Sequence, residues 1–115
     1  MKYTGSCHCG DVKFEAEMDI EKLVECNCSI CSKRATLLDF IPEAKFNLTT
    51  GKDSLQNYQF GRKHLNHYFC KSCGIAPFSS GVLPDGTLMR AINVRCLDNV
   101  DVKQYPVTQY DGRSL

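Results

Sequence analysis

The segment that decides the fold is GSCHCGDVKFEA, residues 5–16. It places Cys7 and Cys9 two residues apart, and directly afterwards apolar side chains alternate with polar ones from Val12 through Phe14 to Ala16. Alternation with a period of two is typical of a half-buried strand. Residues i and i+2 of an extended segment point to the same side, so both thiols can bind one ion. The segment therefore predicts a β-strand attached to one half of a metal site.

The other half is expected at Cys70 and Cys73, which have the two-residue spacing common in zinc sites. A glycine directly follows each half-site, and glycine permits the positive φ that lets backbone amides turn toward sulfur atoms. We predict that these four cysteines form a structural zinc site: Cys7, Cys9, Cys70 and Cys73. Because the two halves are far apart in sequence, the ion would cross-link the first strand to the second half of the chain.

A third group of cysteines, Cys26, Cys28 and Cys31, has no histidine or carboxylate between its members to complete a tetrahedron. Three ligands leave one position open for water or substrate, which is the property of a catalytic zinc. Three thiolates also favour a soft incoming ligand such as another thiolate. The group predicts a second, catalytic zinc ion that works on thiols. Two alternatives are that Cys96 closes the site as a fourth ligand and that the site is metal-free and redox-active.

Composition limits the partners. The chain has 115 residues, with 14 basic and 13 acidic side chains and eight cysteines, and a formal net charge of +1. This length suits one domain, and a near-neutral chain has no broad basic field for nucleic acid or anionic membranes. With no apolar leader or spanning run, a cytoplasmic location is expected, where disulfides are rare. Metal binding is therefore favoured over a disulfide framework, and small molecules are the expected partners.

The rest of the chain favours strands. β-rich alternation recurs at residues 44–50, 67–70 and 87–94, and turn residues interrupt it at 51–53, 61–63 and 84–86. Only residues 29–34 suggest a helical turn. We predict a mainly β, small single domain over residues 1–115, with a C-terminal tail at 99–115 that lies on the surface and frays from Val102 onward.

Residues 5–15, 26–33 and 68–78 together resemble the glutathione-dependent formaldehyde-activating enzyme family, which also includes centromere protein V. The similarity runs from Tyr3 to Asp98. It implies a fold of several coiled antiparallel sheets that holds two zinc ions. By similarity, a structural site falls on Cys7, Cys9, Cys70 and Cys73, and a catalytic site falls on Cys26, Cys28 and Cys31. Cys96 falls in the family's late strand motif, which favours packing over ligation.

The resemblance also implies an activity. The named enzyme is a carbon–sulfur lyase that joins glutathione to formaldehyde as S-(hydroxymethyl)glutathione. The expected substrates are glutathione or a related thiol, and formaldehyde or a related carbonyl adduct. The competing hypothesis is a non-catalytic, zinc-stabilised binding or scaffold module in which both metal sites are structural.

Several other side chains are candidates for the second site. His67 could face it as a base, the alternative being packing in the core or at the surface, whereas His8 and His64 are expected to be exposed or packed. Two basic pairs, 33–34 and 62–63, could bind the carboxylates of glutathione or compensate the anionic thiolates, the alternative being solvated loop charge. Four aromatic residues could line a pocket or belong to the core: Phe40, Phe60, Tyr68 and Phe78.

Overall fold

The computed structural model describes residues 1–114 and consists mainly of β-strands, as the sequence predicts. Within these residues the strands are β1 Lys2–Ser6, β2 Lys13–Glu17, β3 Leu23–Cys26, β4 Leu38–Pro42, β5 Phe46–Thr50, β6 Leu55–Tyr58, β7 Asn66–Cys70, β8 Phe78–Val82, β9 Leu88–Asn93 and β10 Val107–Tyr110. One helical turn, α1 Cys31–Arg34, lies where the sequence predicts it. Short 3₁₀ turns occupy Glu43–Lys45, Lys52–Ser54, Val94–Cys96, Val102–Gln104 and Gly112–Ser114.

The strands form two sheets, one of three strands in the order β1-β2-β5 and one of seven in the order β10-β3-β4-β9-β8-β7-β6. The predicted hairpin at residues 84–86 is confirmed and joins β8 to β9, where the Leu83 amide donates to the Thr87 carbonyl at 2.9 Å. β7 pairs with the other edge of β8, so β7, β8 and β9 are contiguous in the larger sheet.

The expectation of antiparallel sheets is wrong at β10, and so is the expectation that the tail frays from Val102 onward. β10 runs parallel to β3 and pairs Val107 with Leu23 through to Tyr110 with Cys26. Every side chain of β10 is exposed. The strand is thus held by backbone hydrogen bonds at a sheet edge, so no apolar alternation marked it in the sequence.

The two sheets are joined by a cluster of aromatic rings. Phe14 of β2 and Phe46 of β5 lie against Phe78 of β8, with ring centroids 5.8 and 4.6 Å from that of Phe78. Burial of one such side chain contributes about 1.5–3 kcal/mol. The Arg90 guanidinium lies 4.8 Å from the centre of the Phe46 ring and pairs with Glu43 at 2.9 Å. These contacts fix the centre of the larger sheet, which carries one wall of the cavity described below.

None of the helical segments in residues 1–114 has the length and apolarity needed to cross a membrane.

Candidate metal centres and the adjoining cavity

The first cluster brings together four cysteine sulfur atoms from two segments that are about sixty residues apart in the sequence. The Sγ atoms of Cys7, Cys9, Cys70 and Cys73 all lie within 4.8 Å of one another. Cys9 Sγ is 3.7 Å from Cys7 Sγ and 3.6 Å from Cys70 Sγ. A tetrahedral zinc–thiolate site with bonds of about 2.3 Å has sulfur–sulfur edges of about 3.8 Å. The donor set therefore fits a tetrahedral metal ion. All eight cysteines are free thiols, so none of these sulfur atoms belongs to a disulfide.

Backbone turns hold this cluster. Gly10 and Gly74, which follow the two half-sites, have φ of 84° and 80°, the positive values predicted from the sequence. The Gly74 amide donates to the Cys70 carbonyl at 2.8 Å, and the Val12 amide donates to Cys7 Sγ at 3.4 Å. Such amide-to-sulfur bonds orient metal ligands and tune their basicity.

The thiols of the first cluster differ in how readily they ionise. Desolvation opposes ionisation of Cys73, but backbone amides such as that of Ile75 outweigh it and lower the pKa of Cys73 to about 6. A hydrogen bond from the Asp11 backbone lowers the pKa of Cys9, but desolvation and the neighbouring sulfur atoms raise it to about 12. The Cys73 thiolate thus forms easily, whereas Cys9 resists ionisation beside its neighbouring sulfur atoms. A divalent cation would remove that repulsion.

The second cluster lies in the turn between β3 and α1. The Sγ atoms of Cys26, Cys28 and Cys31 lie within 4.8 Å of one another, and no fourth cysteine, histidine, aspartate or glutamate from residues 1–114 joins them. The Cys28 amide donates to Cys26 Sγ at 3.4 Å. Three sulfur atoms on one side leave the other side open, and this donor set also fits a thiophilic metal ion.

The thiols of the second cluster also differ from one another. Burial raises the pKa of Cys31 to about 12, helped by hydrogen bonding to Cys28 and by the negative charge of its neighbours. Burial acts in the same direction on Cys28, but hydrogen bonds from the Cys31 and Ile30 backbones and from the neighbouring thiols lower its pKa. Of Cys28 and Cys31, Cys28 is therefore the first to form a thiolate.

Cys96 lies beside the first cluster, not in the second. Burial, together with the charges of Cys7 and Cys73, raises its pKa to about 11. Its sulfur accepts a hydrogen bond from Asn93 Nδ2 at 3.6 Å. The structure therefore does not support the alternative in which Cys96 closes the second cluster as a fourth ligand.

The C-terminal segment covers the second cluster, which the sequence did not predict. The Asn27 amide donates to the Tyr110 carbonyl at 3.2 Å, and Asn27 Oδ1 accepts from the Arg113 amide at 2.9 Å. Gly112 lies so close that a Cβ atom there would be 2.7 Å from Cys26 Sγ and 3.2 Å from Cys28 Cβ. The backbone at Gly112 thus packs directly on two of the three cysteines.

A methyl group at Gly112 is expected to displace the Cys26 sulfur. We predict that Gly112→Ala weakens metal binding at the second cluster about 10- to 100-fold, the usual effect of disturbing the surroundings of metal ligands. Competition with a zinc chelator, monitored by a chromogenic indicator, measures this affinity. Thr108→Ala, at an exposed position of the preceding strand β10, serves as control and should leave it unchanged. Equal affinities in the two variants would contradict the contact.

A cavity of about 370 Å³ opens beside the second cluster. Cys26, Cys28 and Cys31 form part of its wall together with Arg34 and His67. His67 is buried, with 9% of its surface exposed, and its ring stacks on that of Phe60 at 5.3 Å. Burial lowers the pKa of His67, and the charges of Arg34 and His64 lower it further. The imidazole is therefore neutral at pH 7 and can accept a proton.

The remaining candidates from the sequence divide into two groups. Phe40, Phe78 and Arg34 line the cavity. The other candidates do not line it. Tyr68 is half-buried, and the rest are exposed: His8, Lys33, Phe60, Arg62, Lys63 and His64. Tyr68 instead packs against Phe78 in the core, with ring centroids 5.5 Å apart.

The fold and the cysteine clusters define a class of small β proteins that have two sheets and two separate groups of cysteine thiols. The sequence profile described as glutathione-dependent formaldehyde-activating enzyme matches residues 2–110. The chain belongs to this enzyme family, which confirms the resemblance seen in the sequence and extends it through β10. A crystal structure of a Rhodobacter sphaeroides protein is similar, with a TM-score of 0.79 and 28% identity over 91% of this chain and 99% of that one.

Proposed function

We propose that the protein is a zinc-dependent enzyme of the carbon–sulfur lyase type, which adds a thiol to a small aldehyde and catalyses the reverse release. One observation carries the proposal: the open side of the three-cysteine cluster belongs to a cavity that also contains a buried imidazole and a guanidinium. A purely structural metal site is normally closed by four protein ligands. Family membership adds formaldehyde and glutathione, or related compounds, as the substrate classes.

Both clusters are proposed to hold zinc, giving two ions per chain. Cys7, Cys9, Cys70 and Cys73 would hold the structural ion, and Cys26, Cys28 and Cys31 the catalytic one. An ion bound by three thiolates with an open position supplies a Lewis acid that makes a thiol more acidic.

We assign the following roles in the reaction to the side chains of the cavity. The His67 imidazole takes the proton from the substrate thiol, and the thiolate sulfur forms a bond to the carbonyl carbon. The carbon–oxygen π bond breaks, and its electron pair goes to oxygen. His67 returns the proton to that oxygen, giving a hydroxyl group and a neutral hemithioacetal. The Arg34 guanidinium stabilises negative charge in the cavity while these bonds change.

The reaction is tested by two-dimensional exchange NMR with formaldehyde and a panel of thiols: glutathione, 2-mercaptoethanol and 6-mercaptohexanoate. We expect acceleration above the spontaneous rate for at least one thiol. His67→Asn should reduce that acceleration about 10²–10⁴-fold, the usual contribution of a general base. His64→Asn, at an exposed position outside the cavity, is the matched control. Exchange at the spontaneous rate for every thiol would refute the proposed activity.

A further inference from the structure

We infer that the cavity selects a thiol with an apolar body and a single carboxylate, and that it discriminates against glutathione. This inference rests on the proposed function and concerns the substrate of the same site. The first argument is the rest of the cavity lining, in which aliphatic and aromatic side chains predominate, among them Val24, Leu38, Phe40, Val82, Leu83 and Met89. Apolar walls favour an alkyl or aryl group over a peptide.

The second argument is charge. Arg34 is the only lysine or arginine that lines the cavity, and no aspartate or glutamate from residues 1–114 lines it. Glutathione carries two carboxylates and one ammonium group at neutral pH. One guanidinium can pair with one carboxylate, so the second carboxylate and the ammonium would be desolvated without partners. Leaving charged groups unpaired in an apolar site is costly, and this cost disfavours the tripeptide.

The third argument is the state of Arg34 itself. It belongs to the last turn of α1, is half-buried, and forms no ion pair within residues 1–114. It follows Cys31 by three residues, on the helical turn that also carries that sulfur. A guanidinium with several free N–H donors beside the sulfur atoms is suited to bind a carboxylate in a bidentate manner. A thiol with its carboxylate some distance from the sulfur can reach both groups.

The mouth of the cavity agrees with an apolar substrate. Leu65, Val82 and Leu83 line it and are 38%, 58% and 45% exposed. These side chains leave apolar surface in water, and an alkyl chain that extends outward from the sulfur would cover part of it. Peptide groups at the same place would lose water and find no hydrogen-bond donor or acceptor on these three side chains.

The test uses the full chain loaded with cobalt(II), whose d–d absorption reports a thiol entering the metal's coordination shell. Three probes are titrated: 6-mercaptohexanoate, 6-mercaptohexanol and glutathione. We expect 6-mercaptohexanoate to bind at least tenfold more tightly than either of the others. Arg34→Met should abolish the preference of the acid over the alcohol. Lys33→Met, at the neighbouring exposed position outside the cavity, should behave as wild type.

The outcomes separate the two proposals. Binding of glutathione as tight as that of 6-mercaptohexanoate would overturn the inference and leave the proposed function standing. An unchanged preference for the acid in Arg34→Met, with both metal ions retained, would also overturn the inference. Failure of all three probes to change the spectrum would refute thiol binding at the cluster, and the proposed function with it.

Discussion

Replacing Cys73 with serine is expected to unfold the domain. The Cys73 thiol is one of four that meet in the first cluster, which joins the turn before β2 to the turn after β7. A structural zinc site contributes on the order of 10 kcal/mol, which is comparable with the total stability of about 5–15 kcal/mol of a small domain. Loss of one ligand should therefore remove most of the folding free energy. Circular dichroism and zinc analysis of the purified variant measure the outcome.

Cys96→Ser is the matched control for that experiment. Cys96 is a cysteine near the first cluster, but its sulfur is not one of the four. We expect this variant to retain its fold and about two zinc ions per chain. A folded Cys73→Ser protein that still holds two ions would show that the first cluster is not a metal site that supports the fold.

Cys28→Ser is expected to abolish thiol binding while the protein stays folded. The three cysteines of the second cluster lie within six consecutive residues, so an ion there cross-links only a local turn. The variant should retain one zinc ion per chain and lose the cobalt spectral response to thiols. Zinc analysis and thermal unfolding, run beside the exposed neighbour variant Ser29→Ala, distinguish the two effects. Global unfolding of Cys28→Ser would contradict separate roles for the clusters.

Much of the fold could be predicted because strongly patterned segments determine it. β2 follows the alternation that begins at Val12, and the hairpin between β8 and β9 follows the turn residues at 84–86. β10 could not be predicted in this way. Its side chains are exposed, and its pairing with β3 depends on backbone hydrogen bonds between segments more than eighty residues apart.

The composition of each cysteine cluster could be predicted because ligand spacing is local within each half-site. The positions of Cys96 and of the cavity could not be predicted from the sequence. Both depend on how the strands are ordered in the larger sheet, where β8 and β9 contribute residues such as Ser80 and Met89 to the cavity wall. Arg34 and Lys33 were equivalent in the sequence. The turn of the helix placed one toward the cavity and left the other in solvent.

The pairing of β10 with β3 also sets the order in which the molecule can be completed during synthesis. Cys26, Cys28 and Cys31 leave the ribosome early, but the strand and the glycine that pack on them follow some eighty residues later. Contacts between segments so distant in sequence form slowly, because a long loop must close first. The first cluster can assemble once residue 73 has emerged, whereas the second stays uncovered until translation reaches Gly112. A nascent chain would therefore bring the four sulfur atoms of the first cluster together before the second cluster is covered.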